Sequence, residues 1–178
     1  TKSLRVRIMR REYFSASISE FKNKKTNEIL GELVHNNEFP LEQTQRDAWE
    51  EEIRILKKVL IDYDGSIYFE FSIPRMGKRI DVLLIIKSVI FVLEFKVGEK
   101  EFQSYAIDQV WDYALDLQNF HETSHQQFIA PILIATKSII SNYYISTTIQ
   151  NSKILLPIKS NCELLCEIIN EALLFCEG

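Results

Sequence analysis

Glycine and proline are scarce in this chain, five and four among 178 residues. That scarcity excludes a linker-rich, collagenous or low-complexity protein. Cysteine is scarce as well: Cys162, Cys166 and Cys176 are the whole complement, all in one C-terminal apolar stretch. Cys162 and Cys166 have the spacing of one helix face, and no other Cys or His completes a tetrahedral metal set at familiar spacing. They read as small buried thiols in a reducing compartment. Positive charge is not in surplus, the formal net charge being −4. A domain that holds nucleic acid by charge alone is usually basic. A site that recruits a divalent cation weakens that objection, because its carboxylates inflate the acidic count. No apolar run reaches the roughly 18 residues of a membrane helix, and no signal peptide is visible. A cytoplasmic protein is expected.

What is present is ordinary globular material, 46% apolar and 26% charged, enough to build one domain around a core. Residues Thr1 to Ile8 precede Met9 and are basic without pattern, so they read as an upstream remnant and 9–178 as the domain. Its N-terminal part, 9–40, is helical: Ser17 and Glu20 have capping-box spacing, and a short helix is expected over Glu28–Val34. The core, 41–136, opens with a long helix over Leu41–Ile61, whose Trp49, Ile53, Leu56 and Leu60 form one buried stripe. Asp62-Tyr63-Asp64-Gly65 stops it. Three apolar segments follow, Ser66–Ile73, Arg79–Ile86 and Val89–Val97, and their short connections predict an antiparallel meander. A helix over Gln103–Phe120 and a strand over Ile129–Thr136 complete the core; a strand over Lys153–Ile158 and a helix over Cys162–Phe175 close the chain. The expected fold is α/β, a mixed sheet flanked by helices.

Three charged residues are physically out of place. Asp81 lies in Arg79-Ile80-Asp81-Val82-Leu83-Leu84, and Glu94 and Lys96 lie in Val92-Leu93-Glu94-Phe95-Lys96-Val97. A carboxylate in a buried strand costs several kcal/mol unless a partner or metal compensates it. Glu94 and Lys96 share parity, so they face one way. A tight reversal at Lys87-Ser88 brings Asp81 opposite residue 94 or its neighbour. Two converging carboxylates suit Mg²⁺ or Mn²⁺. A nearby ammonium can hold a water and balance charge on a phosphate. These are the parts of phosphodiester hydrolysis. The plain alternative is a pair of exposed ion pairs, Glu94 with Lys96 and Arg79 with Asp81.

Asp81, twelve intervening residues, then Glu94-Phe95-Lys96 resembles the signature of the PD-(D/E)xK nuclease superfamily, with Ile80 where many members carry proline. Several longer stretches resemble the N-terminal nuclease-like domain of uncharacterised prokaryotic proteins that also carry a P-loop helicase domain. They are Thr44-Gln45-Arg46-Asp47-Ala48-Trp49, Ile73-Pro74-Arg75-Met76-Gly77-Lys78-Arg79-Ile80-Asp81 and Ile107-Asp108-Gln109-Val110-Trp111-Asp112-Tyr113-Ala114. No helicase motor is encoded here, since Gly77-Lys78 lacks the rest of a phosphate loop. The resemblance implies a restriction-endonuclease-like core and a Mg²⁺- or Mn²⁺-dependent nuclease acting on DNA or RNA. It implies that Asp81, Glu94 and the Phe95 carbonyl bind the metal and that Lys96 positions the attacking water. Gln109 would orient Lys96 or the substrate. An acidic residue on the first core helix is also typical; of Glu50, Glu51 and Glu52, the last lies closest to the buried stripe. Arg75, Lys78 and Arg79 are candidates for phosphate contacts, or else an ordinary solvated turn.

Other signals are weaker. Asp62, Asp64 and Gly65 begin like a calcium loop but lack its later glutamate. His121 and His125 lack the glutamate of a zincin helix, and Asp108, Asp112 and Asp116 form a solvated stripe. The competing functional expectation is an inactive nuclease-like module that binds nucleic acid or a protein. A small-molecule or protein-binding α/β module with structural ions is the third.

Overall fold

The computed structural model describes residues 11–73, 77–120 and 127–177. The upstream stretch Thr1–Ile8, the candidate Arg75 and the pair His121 and His125 lie outside the described residues. The chain begins with strand β1 (Phe14–Ser17), then helices α1 (Ile18–Asn23), α2 (Thr26–Asn36) and α3 (Gln43–Val59). Strands β2 (Ser66–Ser72), β3 (Arg79–Ile86) and β4 (Val89–Lys96) form the meander. Helix α4 (Ser104–Phe120), strand β5 (Phe128–Ala135), strand β6 (Ile158–Ser160) and helix α5 (Leu165–Glu177) complete it.

The strands make one six-stranded mixed sheet in sequence order. β1 to β4 pair antiparallel, whereas β5 runs parallel to β4 and β6 parallel to β5. The fold is thus α/β, with a mixed central sheet and flanking helices. A parallel neighbour needs a crossover, and α4 supplies it between β4 and β5. Pro131 sits inside β5 without harm. Ile129, of the same parity, turns its amide and carbonyl toward the residue 153–155 segment, and the β5–β6 ladder starts only at Ile132. The donor that Pro131 lacks falls in that gap.

One face of the sheet packs against α1, α2, α3 and α5, with Phe21, Leu33, Trp49, Leu56, Phe69 and Ile169 in its core. The other packs against α4 through Val110, Ala114 and Leu117. Ser17 caps α1, the Glu20 amide donating to Ser17 Oγ at 3.0 Å and the Ser17 hydroxyl donating to Glu20 Oε1 at 3.1 Å. Trp49, Ile53, Leu56 and Leu60 are all buried. Gly65 ends the turn after α3 with φ 142°, and a Cβ there would lie 2.0 Å from the Ile85 carbonyl oxygen.

Three expectations need correction. β1 is a strand that the sequence reading omits. The last strand is Ile158–Ser160, and within 153–157 only Ile154 and Leu155 make isolated bridges. The cysteines are not buried: Cys162 precedes α5 and is half-exposed, Cys166 is exposed and Cys176 is half-exposed. Leu165, Ile168, Ile169, Ala172 and Leu173 occupy the buried stripe of α5 instead. Among the described residues no helix is long and apolar enough to cross a membrane.

Candidate active site

Register sets the site. Phe69 faces Val82 across the β2–β3 ladder, and Val82 faces Leu93 across the β3–β4 ladder. The same register places Glu70, Asp81 and Glu94 in the next row, one carboxylate per strand, and neither ladder pairs there. Like charges directly opposite each other destabilise a sheet. The expected position of Asp81 across from Glu94 is therefore met, with a third acid that the sequence reading did not include.

Side chains replace the missing ladder bonds. The Asp81 amide donates to Glu94 Oε1 at 2.9 Å, and the Phe95 amide donates to Asp81 Oδ2 at 2.8 Å. In a strand the N–H and C=O of one residue point the same way, so the Phe95 carbonyl also faces β3. Glu70 has φ 54°, a left-handed backbone costing roughly 1–2 kcal/mol for a residue with a side chain. Its carbonyl accepts from Arg79 Nη1 at 2.7 Å, and its Oε1 accepts from Trp49 Nε1 at 3.0 Å. Across this row the side-chain pattern changes face. Phe69 and Val82 pack on the α3 side, whereas Phe71 and Ile80 pack on the α4 side.

Asp81 consequently borders two hollows. The larger, about 630 Å³, is also lined by Glu70, Glu94, Gln109, Tyr113 and Trp49. The smaller, about 390 Å³, is lined by Glu52, Phe95, Lys96 and Gln45. Of the three acids considered on α3, Glu52 is buried at 3% exposure, Glu50 is exposed and Glu51 pairs with Arg54. Glu52 makes no hydrogen bond among the described residues, and Glu94 is 6% exposed.

Four carboxyls thus lie close enough to raise one another, Glu70 and Glu94 beside Asp81 in the larger hollow and Glu52 beside it in the smaller. Burial pushes Glu52 well above the usual carboxylate range, and repulsion from Asp81, Glu70 and Glu94 adds to it. Burial does the same to Glu94, reinforced by Asp81 and opposed by the Asp81 amide and Lys96. Glu70 is pushed up to about 7 by burial and Asp81, against the Trp49 hydrogen bond and Arg79. Asp81 is pushed up to about 6 by burial, against the Phe95 amide and Lys96. Tyr113 is raised by burial and by the charges of Glu94, Asp81 and Glu70.

The structure places Asp81, Glu94 and Gln109 around the larger hollow and Asp81, Glu52 and Lys96 around the smaller, so Gln109 and Lys96 line different hollows. Lys96 is half-buried at the end of β4, its Nζ 5.5 Å from the Tyr105 ring centroid. Lys78 is exposed on the rim of the larger hollow. Arg79 lines the same hollow but is engaged internally: besides the Glu70 carbonyl it donates to the Arg11 carbonyl at 2.9 Å and lies 4.1 Å from the Tyr13 ring centroid. Sequence reasoning missed Glu70. Its signal was the one that exposed Asp81, a carboxylate inside an apolar strand, but Ser66-Ile67-Tyr68-Phe69-Glu70 alternates like a half-solvated strand.

An oxygen-only donor set suits a hard divalent cation. The Asp81 amide engages Glu94 Oε1 and the Phe95 amide engages Asp81 Oδ2, and the two carboxyls also hydrogen-bond to each other. The Phe95 carbonyl faces the same gap. Among the described residues no three Asp, Glu, His or Cys side chains already stand as a closed cation cluster, so closing this set requires side-chain rotation. The donors fit in kind. No family model, curated protein or solved structure matches the chain.

Proposed function

We propose that this chain is a nuclease domain that hydrolyses phosphodiester bonds of DNA or RNA with Mg²⁺ or Mn²⁺. The supporting observation is the row Glu70, Asp81 and Glu94 across three apolar strands, with Lys96 two residues past Glu94. Asp81, Glu94 and the Phe95 carbonyl would hold the cation, which when bound acidifies water and polarises a phosphoryl oxygen. Lys96 holds the attacking water in line and balances charge on the phosphate. Glu52 accepts a proton or orients water from the α3 side. Gln109, in the larger hollow with Glu94, orients the substrate. The resemblance extends the reading to a cytoplasmic protein with a fused helicase domain outside this chain.

The test is cleavage of single- and double-stranded DNA and RNA with Mg²⁺, Mn²⁺ or EDTA. Wild type should cut only with metal, and Lys96→Ala should lose about 10²- to 10⁴-fold while melting as wild type does. Cleavage that persists in Lys96→Ala or in EDTA would contradict the assignment. A second reading, a binding module that does not cut, draws on the net charge of −4 and on the internal engagement of Arg79. It predicts salt-sensitive binding with no cleavage under any condition.

A further inference from the structure

We infer that the site takes single-stranded nucleic acid, with bases stacked on Phe39 at one opening and on Tyr105 at the other. The inference rests on the reading above for the chemical class of ligand. It adds the strand form and two residues that select it.

The charge around the openings is the first observation. Among the described residues, the larger hollow has Glu38, Glu42, Glu70, Asp81 and Glu94 against Lys78 and Arg79. The smaller has Asp47, Glu52, Asp81 and Glu99 against Lys96. A duplex presents one phosphate charge per roughly 1.7 Å of axis and a single strand half that density. With so few cations at either opening to meet phosphates, the single strand is received at the smaller electrostatic cost.

The aromatic rings are the second. Among the described residues four aromatic side chains stand exposed: Phe39 at 70%, Tyr105 at 61%, Tyr144 and Phe175. Two of the four lie beside the site, one lining the larger hollow and one next to a lysine of the smaller. Phe39 lines the larger hollow, and Tyr105 lies over Lys96, which lines the smaller. Phe39 is held by its backbone rather than by its ring. Asn37 Nδ2 donates to the Phe39 carbonyl at 2.8 Å, the Tyr13 hydroxyl accepts from the Glu38 amide at 3.3 Å, and Pro40 follows. Tyr105 is fixed in the first turn of α4. Base stacking on such exposed rings compensates where phosphate contacts are few. Asp81 borders both hollows, so a strand lying from Phe39 to Tyr105 crosses the carboxylate row.

The test measures anisotropy of a labelled DNA or RNA oligonucleotide in Ca²⁺, alone or annealed to its complement, with cleavage in Mn²⁺ alongside. Single strands should bind at least tenfold more tightly than duplexes. Phe39→Ala and Tyr105→Ala should each weaken single-strand binding by about tenfold. Tyr105→Phe should retain it, and all three variants should melt as wild type does. Equal or tighter duplex binding, or no loss in either alanine variant, overturns the inference. Duplex cleavage with single strands untouched overturns it while leaving the nuclease reading intact. Single strands bound through both rings but never cut would overturn the nuclease reading instead. No binding of any oligonucleotide overturns both.

Discussion

Burial holds the Glu70 carboxyl up to about 7 and the Asp81 carboxyl up to about 6, both above their values in an unfolded chain. Between pH 4 and 7 the folded protein therefore binds more protons than the unfolded one, and stability falls as pH rises through that window. In EDTA the melting temperature should drop from pH 5 to pH 8, and Glu70→Gln should flatten the slope. A metal-free melting temperature that climbs over that interval would contradict the stated protonation. At this scale the sequence was legible wherever a charge interrupted an unbroken apolar run, as at Asp81, Glu94 and Lys96. Glu52 was legible through its place beside the Trp49–Ile53 stripe. Glu70 was not, because one acid in an alternating strand looks solvated, and only the cross-strand register places it against Asp81.

Among the elements, the meander depends on close approach at its turns. The Gly65 backbone has φ 142° and passes so near the Ile85 carbonyl that a methyl group has no room. Gly65→Ala should cost on the order of 3 kcal/mol in urea unfolding, since both the backbone and Ile85 must move. A loss below about 0.5 kcal/mol, the range of ordinary surface changes, would show that the turn is not so packed. The long helix and the meander were readable because their periodicities run for several turns or residues. β1 was not. Phe14-Ser15-Ala16-Ser17 has no strand pattern of its own and is extended because β2 offers an unpaired edge. β6 fails for a similar reason: its three residues are set by β5, while Ile154 and Leu155 supplied the apolar signal upstream.

For the whole molecule, a cation that binds the folded chain alone stabilises it by mass action, about 2.7 kcal/mol at a hundred times its Kd. Mn²⁺ should therefore raise the melting temperature by several degrees at pH 8, more than at pH 5, where protons already neutralise the row. Asp81→Ala should abolish that rise. A Mn²⁺ response unchanged in the variant would move the cation elsewhere. The carboxylate row also gives the sheet the character of a loaded spring. The ladders pair through Phe69, Val82 and Leu93, the β2–β3 pairing resumes at Phe71 and Ile80, and beside these pairs the fold crowds Glu70, Asp81 and Glu94 into one row. A cation held there, as proposed, would release repulsion as well as gain ligands.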